Sequence, residues 1–200
     1  MTKIKICGLY RDADIDYVNE AGPDYAGFIL NFPKSHRSLT PERAAALRDR
    51  LAPGSRAVGV FVDRPVGEVL AAAETAGLDV IQLHGREDDG YIAALRALTG
   101  CELWKAFQIR SAADLAAAGE SAADAVLLDN GYGTGEAFDW SLAADFKRPF
   151  ALAGGLTPEN IPEAVAAMRP LLVDISSGVE TDKIKDRTKI LAAVRAAREA

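Results

Sequence analysis

A chain of 200 residues that is 49% hydrophobic and 26% charged has the length and apolar content of one globular domain with a sizeable core. Its formal charge of −6 and lack of any basic run argue against a nucleic-acid surface, and no apolar stretch approaches the roughly 20 residues of a membrane-spanning helix. Two cysteines, Cys7 and Cys101, make no disulfide framework, and without a signal peptide the expected compartment is a reducing cytoplasm. The expected partner is a small-molecule substrate.

From the N-terminus onward, short apolar runs alternate with alanine-rich stretches of helical period. The runs Ile4–Cys7, Tyr25–Leu30, Ala57–Val62, Val80–Leu83, Leu103–Phe107, Ala125–Leu128, Phe150–Ala153 and Leu172–Ile175 read as eight strands, each bounded by Gly, Pro, Asp or Ser. Thr40-Pro41-Glu42 and Thr157-Pro158-Glu159 each place a capping hydroxyl before a proline at the first helical position, and Ser111 opens a fifth helix in the same way. Eight strands alternating with eight helices predict the α/β class and a single-domain (β/α)8 TIM barrel over residues 1–200. At about 25 residues per unit such a barrel has minimal insertions. A doubly wound open sheet is the alternative.

In a barrel the C-terminal strand ends form the active face, so polar residues there read as one ring. Cys7 ends the first strand; Asn31, Asp63, His84 and Asp129 follow or end the second, third, fourth and sixth. A lone strand-end thiol is either a small buried hydrophobe or a reactive group aimed into a pocket. Gly154-Gly155 and Ser176-Ser177-Gly178 follow the seventh and eighth strands, where barrels offer backbone N–H groups to phosphate. A phosphorylated ligand is expected on these five residues. Gln82 and His84 share a strand face that approaches substrate at a barrel mouth, and Phe107 is a weaker candidate for contact. With no Gly-x-Gly-x-x-Gly fingerprint and no histidine–carboxylate cluster, neither a cofactor nor a metal is expected. Cys101, before the fifth strand, is expected to be inert.

The segments KICGL (5–9), GFILNFPKSHR (27–37), VGVFVD (58–63), IQLHG (81–85), LLDNGYGTGEAFDW (127–140), LAGGLTPENI (152–161) and VDISSGVE (173–180) together resemble the phosphoribosylanthranilate isomerase family. They occur in the family's order along nearly the whole chain. The resemblance implies a cofactor-free Amadori isomerisation in tryptophan biosynthesis. N-(5′-phosphoribosyl)anthranilate becomes 1-(2-carboxyphenylamino)-1-deoxyribulose 5-phosphate, with Cys7 as general base and Asp129 as general acid. It also implies that Arg37 holds the anthranilate carboxylate, and that Asp174 fixes the ligand or its loop. A free thiol titrates near about 8.5 and a free aspartate near about 3.9, so such a site must favour both the thiolate and the protonated carboxyl.

Three departures from the family pattern stand out. His36 replaces the proline usual before Arg37, which predicts a less rigid loop. The loop Asn130–Gly135 is shorter than usual, though its glycines suit closure over substrate. Thr181–Asp186 lacks the usual Pro-Gly. The family contains monomers and homodimers, and either is expected here. A dual-specificity isomerase of histidine and tryptophan synthesis is a second enzyme reading, but it uses two aspartates and Cys7 argues against it. A barrel that binds a phosphorylated metabolite without turnover is the third.

Overall fold

Strand runs that are apolar on both faces need cover on both sides, and the chain supplies it by closing the sheet on itself. The computed structural model describes residues 1–129, 143 and 146–200. Its eight main strands are β1 (Lys3–Cys7), β2 (Tyr25–Leu30), β3 (Arg56–Phe61), β4 (Val80–Leu83), β5 (Glu102–Gln108), β6 (Ala125–Asp129), β7 (Phe150–Leu152) and β8 (Leu172–Ile175). Each pairs in parallel with its neighbours in chain order, and β1 pairs with both β2 and β8. That closure makes a TIM barrel and excludes the open sheet, whose first and last strands would have free edges.

The described helices are α1 (Asp12–Ala21), α2 (Pro41–Arg48), α3 (Val66–Ala76), α4 (Asp89–Arg96), α5 (Ala112–Glu120), α6 (Ile161–Met168) and α7 (Arg187–Glu199). The eighth expected helix belongs between β6 and β7, where residues 130–142, 144 and 145 lie outside the described set.

Two apolar cores follow from strand alternation. Outward residues such as Ile4, Ile6, Phe28, Leu30, Ile81 and Leu83 pack under the helices, while Tyr25, Val58, Val80, Trp104, Ala106, Leu127, Ala151 and Leu172 fill the lumen. Fully burying a side chain such as Phe28 stabilises the fold by about 1.5–3 kcal/mol. Two residues further along each strand, the same inward face carries Gln82 above Val80, Asp129 above Leu127 and Asp174 above Leu172. The lower lumen is therefore an apolar plug, and the polar groups gather above it.

Capping is as expected at Thr40, whose hydroxyl accepts from the Arg43 N–H at 3.3 Å, and at Ser111, which accepts from the Asp114 N–H. Thr157 also accepts the N–H three residues on, from Asn160 at 3.4 Å, but the regular helix starts later than expected. Residues 158–160 form a turn and α6 begins at Ile161, although the Ile161 N–H already donates to the Thr157 carbonyl at 3.1 Å. Pro162 has no N–H to bond the Pro158 carbonyl, so the first regular turn starts late. Where the family's Pro-Gly is missing, Glu180–Thr181 and Ile184–Lys185 pair as a small antiparallel hairpin. Asp182 and Lys183 make its turn with φ of 52° and 64°, and Asp186 then caps α7 by accepting from the Lys189 N–H.

Candidate active site

Cys7 ends β1 opposite Gly27 of β2, with 8% of its surface exposed. Lys5 lies two residues earlier on the same face and is wholly buried, its Nζ donating to Asp174 Oδ2 at 2.8 Å. Register aligns the two, because Lys5 and Asp174 are direct partners across β1 and β8. Burial pushes the Cys7 thiol above its ordinary range, against the opposing pull of the Lys5 ammonium. The desolvation of a thiolate at this depth thus works against the Lys5 and Lys185 charges that favour it. Asp174 Oδ1 is buried and accepts no hydrogen bond among the described residues.

On the other side of the mouth, His84 Nε2 lies 3.1 Å from Asp129 Oδ2, and the Gln82 amide Nε2 lies 3.1 Å from His84 Nδ1. With that amide donating to Nδ1, the network assigns the imidazole proton to Nε2, which donates to Asp129 Oδ2. Gln82 Oε1, like Asp174 Oδ1, is a buried acceptor without a partner among the described residues. Such orphans are costly in a protein interior and mark where a ligand's hydroxyl or amine can donate.

Arg37 is held by a carboxylate from the opposite end of the sequence. Its Nε and Nη2 donate to Glu180 Oε1 and Oε2 at 2.7 and 2.6 Å, a two-pronged pair that fixes the guanidinium plane. Lys185, with a fully buried ammonium, donates to the same Glu180 Oε1 at 2.7 Å and to the Ser176 carbonyl at 2.9 Å. Burial alone would raise the Glu180 carboxyl, yet the Arg37 and Lys185 charges hold it below the usual carboxylate range. His36 also docks on this hairpin, its Nε2 3.2 Å from the Lys183 carbonyl and its ring edge-on to Tyr10. These two contacts tie the His36 side chain to the hairpin and to Tyr10.

The loops after β7 and β8 meet backbone to backbone. A Cβ placed on Gly178 would lie 1.9 Å from the Leu156 carbonyl oxygen, so only glycine permits this approach. Gly154 and Gly155 have φ of 87° and 66°, and Asn160 Nδ2 pins the Gly155 carbonyl at 3.0 Å. Ser177–Val179 forms a single 3₁₀ turn, whose first N–H groups have no partner within the turn. Ser176 Oγ donates to the Cys7 carbonyl at 3.1 Å, joining this loop to the thiol strand.

Strand alternation and the contacts above bring Cys7, Gln82, His84, Asp129 and Asp174 onto the lumen side near the mouth. Around the ring, β7 and β8 with their glycine loops lie between β6 and β1, so Asp129 and Cys7 flank them. Asn31 and Asp63 instead serve as turn residues, with φ of 52° and 50°, and the Asp63 carboxylate accepts the Arg86 N–H at 2.6 Å. Phe107 falls on the outer face of β5 with Lys105, away from the lumen set by Trp104 and Ala106. Cys101 donates its thiol to the Leu78 carbonyl at 3.2 Å. The glycines of Asn130–Gly135 lie outside the described residues. Sequence reasoning missed Lys5, Glu180 and Lys185; the only available signal was that Lys5 and Cys7 are two apart on a strand.

A closed parallel barrel with thiol, carboxylates and imidazole at its C-terminal rim defines a (β/α)8 barrel enzyme for a small-molecule substrate. The profile of N-(5′-phosphoribosyl)anthranilate (PRA) isomerase matches residues 4–196. A curated N-(5′-phosphoribosyl)anthranilate isomerase of Caldanaerobacter subterraneus subsp. tengcongensis is 46% identical over 197 residues, spanning 95% of each chain. Monomers generated from the dimeric isomerase of Thermotoga maritima superpose with a TM-score of 0.89 at 35% identity, covering 100% of both chains. A phosphoribosyl anthranilate isomerase in complex with reduced 1-(o-carboxyphenylamino)-1-deoxyribulose 5-phosphate superposes at 0.87 with 33% identity and the same full coverage. The chain belongs to the N-(5′-phosphoribosyl)anthranilate isomerase family, enzymes of tryptophan biosynthesis. No helix among the described residues is long and apolar enough to cross a membrane.

Proposed function

We propose that this chain, as one barrel domain, converts N-(5′-phosphoribosyl)anthranilate to 1-(2-carboxyphenylamino)-1-deoxyribulose 5-phosphate with Asp129 as general acid and Cys7 as general base. The observation that carries the reading is the placement of the two groups at the mouth on either side of the β7 and β8 loops. A phosphate on the N–H groups of Gly155, Ser177 and Gly178, with Gly154 and Ser176 shaping the turns, leaves the sugar between acid and base. Arg37, aligned by Glu180, meets the anthranilate carboxylate. The orphan acceptors on Gln82 and Asp174 receive ligand donors, and His84 orients Asp129.

Asp129 delivers a proton to the furanose ring oxygen as the bond from that oxygen to C1′ breaks, leaving an iminium between C1′ and the anthranilate nitrogen. Cys7 then takes the C2′ proton, and its electron pair forms the enolamine that tautomerises to the ketone. The iminium is the electron sink, so these steps call on no cofactor. The same reading carries a cytoplasmic location and a monomer or homodimer. Cys7→Ser and Asp129→Asn test it. Each is expected to lower kcat by about 10²–10⁴ while retaining affinity for the reduced product analogue. Near-normal turnover by either variant overturns the assignment.

A further inference from the structure

A lysine ammonium with no exposed surface has lost its hydration and survives only beside compensating charge. Lys5 is such a group, fully buried and donating to Asp174 Oδ2 at 2.8 Å. One carboxylate accounts for its charge but not for its place beside the thiol. Lys5 and Cys7 project from the same face of β1, and Gly27 of β2 stands across from them. A Cβ on Gly27 would meet Lys5 Cε at 2.9 Å and Cys7 Sγ at 3.0 Å. A space of about one methyl group is thus bounded by both side chains, and the missing Cβ is what lets both occupy the lumen.

We propose that Lys5 is a positioning residue whose ammonium, fixed by Asp174, is the resident counter-charge of the Cys7 thiolate. The inference rests on the reading of Cys7 as the base. The charged groups that act on the thiol are Lys5 on its own strand, Asp174 on β8 and Lys185 on the hairpin after β8. Burial raises the thiol, Lys5 and Lys185 pull it down, and Asp174 pushes it up again. Burial alone would lower Lys5, but the Asp174 and Cys7 charges hold it above the ordinary lysine range. Lys5 therefore keeps its proton while Cys7 exchanges one with substrate. Asp174 plays two opposed parts: it anchors the ammonium and weakens its hold on the thiolate.

This arrangement predicts shifts of opposite sign from two neighbouring residues, which a merely structural role does not. In the full chain with Cys101→Ser, the pH dependence of Cys7 alkylation by iodoacetamide, read by intact mass, reports the thiol directly. Lys5→Met is expected to move the apparent thiol pKa up by at least about one unit, slowing alkylation about tenfold at neutral pH. Asp174→Asn is expected to move it down, and Lys5→Arg to leave it near wild type. Shifts of the same sign for Lys5→Met and Asp174→Asn, or none for either, overturn the proposal. If Lys5→Met does not fold, an unchanged or raised thiol pKa in Asp174→Asn overturns it alone. An active Cys7→Ser enzyme would remove the base assignment and leave these shifts standing, so the two failures are distinguishable.

Discussion

Replacing Glu180 by glutamine keeps the side chain's shape and removes the charge on which Arg37 and Lys185 converge. The carboxylate accepts from Arg37 at 2.7 and 2.6 Å and from Lys185 at 2.7 Å, with 5% of its side chain exposed. Glutamine offers one acceptor oxygen, and its NH₂ would face a guanidinium or ammonium donor, so at least one of the three bonds is lost. Breaking a buried ion pair from one side costs about 3–5 kcal/mol. Lys185 retains the Ser176 carbonyl at 2.9 Å, which places the expected loss at the lower end, about 3 kcal/mol. For a chain of this size that is a fall in melting temperature of about 6–12 °C, measurable by calorimetry. Released from its clamp, Arg37 should also raise KM more than it lowers kcat. The pH dependence has a definite sign. The folded-state value of Glu180 is depressed, so its stabilisation is present above the ordinary glutamate range and is lost as pH falls through the depressed value. The gap between wild type and Glu180→Gln should therefore close in acid. Equal melting temperatures at neutral pH, or a gap that persists unchanged in acid, would refute the reasoning.

Three further outcomes are expected. Arg37→Ala should weaken substrate binding by about 1.5–3 kcal/mol, the range for hydrogen bonds to a charged group, and steady-state kinetics matching wild type would sink the carboxylate clamp. Gly178→Ala forces a methyl carbon to within 1.9 Å of the Leu156 carbonyl oxygen, so the two glycine loops must part. KM should rise and competitive inhibition by inorganic phosphate should weaken, and unchanged inhibition would place the phosphate elsewhere. Tyr91, half-buried with its hydroxyl donating to the Arg64 carbonyl at 2.7 Å, is pushed up to about 12 by burial and the nearby Glu87 and Glu68 charges. Its contribution to stability should fade as pH rises from the unfolded value of about 10 through about 12, and ultraviolet titration showing every tyrosine ionising near 10 would contradict this.

The sequence by itself determined the barrel and most of the candidate residues at its mouth, because those signals are local. Short apolar runs bounded by turn residues place the strands within a residue or two, and strand ends in a (β/α)8 barrel are a fixed address for chemistry. Even the late start of α6 was legible in principle, since Pro162 cannot donate to Pro158. Tertiary structure alone decided which polar groups share the lumen. Lys-Ile-Lys-Ile-Cys alternates like a half-exposed strand, and a lysine on such a strand ordinarily faces water. Only the pairing of Lys5 with Asp174, 169 residues away, turns that face inward and leaves the ammonium beside the thiol. Arg37 and Glu180, 143 residues apart, meet for the same reason. Closure of the sheet brings the two ends of the chain together, and periodicity within any one segment carries no information about that contact.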